Sequence, residues 1–193
     1  MLKEFRMENS NSVDTPLVPQ GDHKVPEVTN EADFPYKKAI GSLLYLSLFT
    51  RPDISFAVGY LSRFQANPQQ YHWTLVKRVF RYLKGTSQLG LKYTAGSPTL
   101  SCYCDADFAG DEKSQKSTTS FVIFAFGNPV VWCSKLQSTL AQSSAEAEFI
   151  ALTHATNEVL FLAQLLAETV GISSFPVDIY EDNDKTKLSC RYK

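Results

Sequence analysis

The sequence predicts an α/β chain of the α+β type, in which helices alone come first and strands with one long helix follow. Apolar residues recur at helical spacing between residues 35 and 85. Short apolar runs rich in Val, Ile, Phe and Tyr then alternate with turn residues between 89 and 134. A long helical pattern and a final short strand complete the order, which is typical of a mixed sheet covered by helices. With 193 residues, of which 44% are apolar, and a mean hydropathy of -0.18, the chain can form a sizeable core.

Three helices are predicted in the first half. Residues 35–49 are apolar on most sides, Pro52 interrupts the pattern, and residues 54–64 resume it. An Asn-Pro pair at 67–68 supplies an N-cap and a first-turn proline for a third helix that ends near residue 85.

The third helix carries two stripes. Its apolar stripe, predicted to be buried, falls at i, i+3, i+4 and i+7 and consists of Val76, Val79, Phe80 and Leu83. Its positive side chains are Lys77, Arg78, Arg81 and Lys84. Four cations on one helix suit a phosphate backbone, so we expect these residues to bind nucleic acid. A solvated helix face is the alternative interpretation.

Strand patterns dominate after residue 85. The predicted strands cover residues 89–93, 100–104, 117–126, 130–134 and 175–180. Gly127 with the Asn-Pro pair that follows it indicates a hairpin turn. Ser143 or Ser144 is expected to open a helix that runs to about Thr169.

Charge follows this organisation. We predict a flexible arm or linker over 1–33, a helical connection region over 34–87, and an α+β domain over 88–193. Residues 1–33 carry 3 basic and 7 acidic side chains, residues 34–100 carry 9 and 1, and residues 101–193 carry 7 and 12. The net charges are therefore -4, +8 and -5, which suits an anion-binding middle segment and a cation-binding last segment. A weaker alternative is a protein-interaction module that uses the acidic arm.

The sequence predicts an intracellular protein of the cytoplasm or nucleus, with no membrane as partner. The longest apolar run, Ile40 to Phe49, falls short of the roughly 20 residues that a membrane span needs. No signal-peptide pattern opens the chain. The 4 cysteines lack paired zinc-ligand spacing, and reduced thiols are expected.

Three carboxylates stand where predicted elements begin or end. Asp105 closes one strand, Glu146 lies in the first turn of the long helix, and Asp182 follows the last strand. Such positions can converge on one rim of a sheet, and oxygen ligands suit Mg²⁺ or Mn²⁺. Each carboxylate also has a structural explanation, since Glu146 completes a capping box with Ser143 and the aspartates can form turns.

Linked motifs along nearly the whole chain resemble copia-type (Ty1/copia) retrotransposon Pol polyproteins. Residues 103–111 (YCDADFAGD) with 116–120 (KSTTS), residues 143–152 (SSAEAEFIAL) and residues 179–183 (IYEDN) are similar to the catalytic segments of that family's ribonuclease H. Upstream, the segments IGSLLYL, TRPDI, LSRF and KRVFRYLKGT are similar to the connection between its reverse transcriptase and ribonuclease H.

The resemblance implies a ribonuclease H-like mixed sheet, preceded by a helical connection segment, that cleaves RNA in RNA:DNA hybrids with two Mg²⁺ (or Mn²⁺) ions. By motif, the catalytic and metal-binding residues would be Asp105, Glu146 and Asp182; Asp107 and Glu148 are left outside the metal site. The partners would be an RNA:DNA hybrid and the rest of a Pol polyprotein.

The chain departs from the family pattern at its end. It stops 11 residues after Asp182, before the family's fourth acidic residue, so the resemblance predicts a C-terminally truncated, incomplete domain with three of four metal ligands. The alternative function is a catalytically inactive remnant that only binds nucleic acid.

Overall fold

The computed structural model describes residues 1–18, 34–111, 113–171 and 177–181. The chain forms two compact units, Met1–Leu91 and Lys92–Lys193.

The first unit is built from helices. They are α1 (Tyr36–Phe49), a 3-10 turn (Pro52–Ile54), α2 (Ser55–Ser62) and α3 (Gln70–Gly85). Their shared core includes the predicted stripe of α3, whose four members are at most 5% exposed. Burial of these side chains is the main source of stability of such short helices.

The start predicted for α3 is wrong by about two residues. Gln69, not Asn67, is the N-cap. Its side chain accepts a hydrogen bond from the N–H of His72, and its own N–H donates to His72 Nδ1 at 2.9 Å. This reciprocal pair satisfies two of the amides that a helix start leaves open, which an Asn-Pro signal alone could not reveal.

The predicted arm is packed on α3 over residues 1–18. Met7 is buried in the helical core. Phe5 stacks on Phe80 of α3, with 4.9 Å between ring centroids. The segment forms no regular helix or strand, but its irregularly spaced apolar side chains pack against the helices.

The second unit contains a four-stranded mixed sheet in the order β3-β2-β1-β4, so the α+β class is confirmed. The strands are β1 (Leu100–Asp107), β2 (Thr118–Ala125), β3 (Asn128–Leu136) and β4 (Val177–Tyr180). β1 pairs antiparallel with β2 and parallel with β4, and β2 pairs antiparallel with β3.

Two local predictions differ from the structure. No strand forms over residues 89–93; instead the Tyr93 hydroxyl donates to the carbonyl of Pro129 at 3.0 Å, and the Thr94 N–H donates to Asn128 Oδ1 at 2.8 Å. The hairpin turn lies one residue earlier than predicted, at Phe126 and Gly127, both with positive φ as a tight two-residue turn requires.

Helix α4 (Ser144–Val170) covers one face of the sheet. Leu152, Ala155 and Val159 pack against alternate inward residues of β1 and β2, including Cys104. By length and composition this helix could also cross a membrane. Of its most apolar 18-residue window 22% is buried, and Leu160, Phe161 and Leu165 are exposed, so packing on the sheet accounts for part of this apolar character.

Candidate metal site at the end of β1

Asp105 lies inside β1 on the face opposite α4. The strand continues to Asp107, so Asp105 does not close it as predicted. Cys104 and Ala106 point into the core, whereas Asp105 is exposed. Its carboxylate accepts a hydrogen bond from the N–H of Ala106 at 2.8 Å. An exposed carboxylate near the end of a central strand is available to a ligand.

Glu146 is engaged in the start of α4. Its N–H donates to Ser143 Oγ at 3.1 Å, and its Oε2 accepts from the N–H of Gln142 at 2.7 Å. The side chain is exposed. These two bonds resemble the capping box that is the structural alternative to metal binding at Glu146. They differ from it in one respect: the amide that donates to the Glu146 carboxylate belongs to Gln142, the residue before the N-cap.

Glu148, a residue predicted to lie outside the metal site, is buried at 6% exposure. Its neighbour Ala147 packs with Ala106 of β1 in a small alanine cluster. Close packing of alanines brings the first turn of α4 near the strand that carries Asp105. Glu148 therefore lies on the buried face of α4, near the start of the helix. A carboxylate at such a position requires a compensating partner.

The thiol of Cys104 shows which carboxylates share this region. Burial, followed by the negative charges of Glu181, Glu148 and Asp105, raises the pKa of Cys104 to about 11. Its Sγ also contacts the carbonyl oxygen of Tyr180 at 3.7 Å. Three carboxylates from β1, α4 and the end of β4 thus act on one buried thiol.

Glu181 is the last described residue and is 7% exposed. Because β1 and β4 run parallel, their carboxyl ends lie at the same edge of the sheet. Asp182, the third predicted ligand, lies outside the described residues. Over the ranges that the structure describes, no three His, Cys, Asp or Glu side chains are grouped to hold a metal ion.

The donor chemistry of this edge fits a hard divalent cation. The candidate donors are carboxylates, and Mg²⁺ and Mn²⁺ prefer oxygen ligands. Two of them, Glu148 and Glu181, are buried acids beside an electrically neutral thiol. A cation would offset the repulsion among these charges.

A sequence signal for Glu148 does exist. Glu148, Leu152, Ala155 and Val159 fall at i, i+4, i+7 and i+11, the spacing of one helix face, and the last three form the buried stripe of α4. A glutamate on the same face as these buried residues is not expected to be in contact with solvent, so its presence there has to be explained in another way. Glu181 has a weaker signal, since it only follows a short strand.

Asp107 has a structural role in the loop after β1. Its carboxylate contacts Gly110 so closely that a Cβ at residue 110 would collide with it. The N–H of Ala109 donates to Oγ of Ser117, the residue before β2, at 3.1 Å, which holds the same loop near the start of that strand.

The positive stripe of α3 faces the N-terminal segment. Lys84 Nζ donates to the carbonyl of Ser10 at 2.5 Å, and Arg81 Nε donates to that of Asn11 at 2.7 Å. Arg78 Nη2 donates to Thr15 Oγ1 at 2.8 Å. The segment therefore runs antiparallel to the helix, and part of the predicted nucleic-acid surface is occupied by the chain itself.

Comparison with known proteins gives clear relatives. The chain is 40% identical over 192 residues to the retrovirus-related Pol polyprotein from transposon TNT 1-94 of Nicotiana tabacum, covering 95% of this chain and 14% of that protein. It is 36% identical over 192 residues to the Pol polyprotein from transposon RE1 of Arabidopsis thaliana, covering 98% and 13%. These relatives are transposon-encoded Pol polyproteins, and the chain belongs to their copia-type retrotransposon family.

A shorter relative is matched over nearly its whole length. The secreted RxLR effector protein 161 of Plasmopara viticola is 45% identical over 138 residues, which cover 71% of this chain and 97% of that protein. No family model matches the chain. No solved structure matches it either.

Proposed function

We propose that the second unit is a ribonuclease H-like domain that hydrolyses RNA in RNA:DNA hybrids with Mg²⁺ or Mn²⁺. The observation that supports it is that Glu148 of α4 and Glu181 after β4 are both buried, and that their charges, with that of Asp105, raise the pKa of the Cys104 thiol. The chain spans 14% of the length of its tobacco relative, so activity of a whole polyprotein does not transfer to it directly.

Within this proposal the metal-binding residues are Asp105, Glu148 and Asp182, with Glu148 in place of the Glu146 that the motif predicts. Glu146 already accepts the Gln142 amide at the helix start, whereas Glu148 is buried beside β1. Divalent ions held there would supply an activated water and charge stabilisation of the leaving oxygen. The protein's own contribution is to hold the carboxylates in place and to exclude water from the buried side.

The hybrid is the proposed partner because the cationic helix α3, which can bind phosphates, precedes the acidic domain in the sequence. Lys77 forms no hydrogen bond or ion pair with any residue that the structure describes, and it is partly exposed. Arg78, Arg81 and Lys84 would bind phosphates with the donors that the N-terminal segment leaves available.

The test is cleavage of a labelled RNA strand in a hybrid over a range of Mg²⁺ and Mn²⁺. We expect cleavage by the full chain, and a loss of at least about 100-fold in Asp105→Asn and Asp182→Asn. Asp178→Asn, a partly buried aspartate of β4 three residues before Glu181, is the matched control and should retain activity. A full chain that binds hybrid but never cleaves it would instead support the inactive remnant.

A further inference from the structure

The loop between β3 and α4 contains a buried amide that connects the sheet to the first turn of the helix. Gln137 directly follows β3 and is 4% exposed. Its Nε2 donates to Thr119 Oγ1 at 3.0 Å and to the carbonyl of Ala147 at 2.9 Å. Its N–H donates to the carbonyl of Ser117 at 2.8 Å. One residue therefore joins β2 to α4.

Both ends of this bridge lie next to a candidate metal ligand. Thr119 pairs with Ala106, the neighbour of Asp105, in the β1–β2 ladder. Ala147 immediately precedes Glu148 and packs with Ala106. A shift of the first turn of α4 would thus change the separation of the Asp105 and Glu148 carboxylates.

Stability alone does not explain a glutamine here. The Oε1 atom of Gln137 is buried and accepts no hydrogen bond from the residues that the structure describes. A buried oxygen without a donor is costly, and apolar residues of the same shape often replace such groups without loss. The carbonyl of Ala147 also lies inside α4, where the helix supplies its own donor.

We propose that Gln137 is a positioning residue that holds the first turn of α4, and through it Glu148, at a fixed place relative to Asp105. This inference rests on the proposed function for its effect on metal binding, but the bridge itself can be tested separately. Groups that orient metal ligands typically change metal affinity or activity 10–100-fold when they are removed.

The experiment compares Gln137→Met with Gln142→Met in the full chain. Methionine has nearly the same length and no amide, and Gln142 is an exposed glutamine of the same loop. Hydrogen exchange over residues 144–152, Mn²⁺ binding by titration calorimetry and the thermal midpoint would be measured for each variant.

We expect Gln137→Met to speed exchange in the first turns of α4 and to weaken Mn²⁺ binding about tenfold. Its thermal midpoint should fall by less than about 5 °C. Gln142→Met should match the wild type in all three measurements. If Gln137→Met also leaves exchange and Mn²⁺ affinity unchanged, the positioning role is overturned. If the wild type binds no Mn²⁺, the proposed metal site fails, and exchange over residues 144–152 alone decides whether Gln137 holds the helix.

Discussion

Arg51 and Thr86 are hydrogen-bonded although they lie 35 residues apart. Arg51 Nη1 donates to the carbonyl of Thr86 at 3.1 Å, and Nη2 donates to its Oγ1 at 2.6 Å. The same guanidinium pairs with the Asp53 carboxylate at 2.7 Å, and the Tyr82 hydroxyl donates to that carboxylate at 2.8 Å. Two motifs that identified the family, TRPDI and RYLKGT, therefore meet in a network that joins the turn after α1 to the end of α3.

This network predicts a stability loss in Arg51→Ala. The arginine side chain is 8% exposed, and its removal takes the guanidinium donors from the Thr86 carbonyl and from the Asp53 carboxylate, which keeps the Tyr82 hydroxyl. We expect the free energy of unfolding to fall by about 2 kcal/mol. Urea denaturation would measure this loss. The control is Arg63→Ala, which also replaces an arginine but removes only an exposed hydrogen bond, to the carbonyl of Tyr60. Equal losses in the two variants would contradict the account.

The same network predicts acid sensitivity. Burial acts to raise the pKa of Asp53, but hydrogen bonds from Arg51 and Tyr82 outweigh it and hold the pKa below 3.8. Between the lowered pKa and 3.8, the unfolded state binds more protons than the folded state. The stability that Asp53 contributes is therefore present above pH 3.8 and is lost as the pH falls through the lowered pKa. Unfolding free energies measured between pH 3 and 6 should decline less steeply in Asp53→Asn than in the wild type. Parallel curves would show that Asp53 does not contribute.

Packing of the N-terminal segment predicts that Phe5→Ala destabilises the first unit. Phe5 stacks on Phe80, a fully buried residue of α3. Because Phe5 is itself partly exposed, we expect a loss below the roughly 3–5 kcal/mol of a core Phe→Ala change. Chemical denaturation with Phe56→Ala, a more exposed phenylalanine, as control would measure it. An unaffected Phe5→Ala would mean that residues 1–18 add nothing to the unit.

The positive stripe predicts two kinds of variant. Lys77→Ala should reduce the slope of log affinity for hybrid against log salt by about 1 and leave unfolding unchanged, because it removes one phosphate contact. Arg81→Ala should also lower stability, since it loses its bond to Asn11. Lys37→Ala, an exposed lysine of α1, is the control. Identical salt slopes in Lys77→Ala and Lys37→Ala would contradict a nucleic-acid role for the stripe.

Much of the fold followed from local patterns because the relevant signals are local. The stripe of α3 and the core strands were predictable from periodicity alone. The packing of Phe5 on Phe80 was not, since no spacing rule links residues 75 positions apart. The absence of a strand at 89–93 was not predictable either: directly after this segment, both backbone groups of Thr94 bond the side chain of Asn128, 34 residues further along the chain.

For the candidate site, the choice between Glu146 and Glu148 depends on where the helix starts. A start at Ser144 places Glu146 in the exposed first turn and Glu148 on the buried face. Both residues suit a catalytic motif by type, so only the direction of each side chain separates them. The spacing of the buried residues of α4 indicates which of the two side chains points toward the sheet, and the motif alone does not.

Calorimetric titration of Mn²⁺ into Glu146→Gln and Glu148→Gln tests the central claim most directly. The two variants make the same change two residues apart on one helix. We predict that Glu148→Gln weakens Mn²⁺ binding at least about tenfold, whereas Glu146→Gln retains wild-type affinity. Loss of affinity in Glu146→Gln with normal binding in Glu148→Gln would contradict the proposed site.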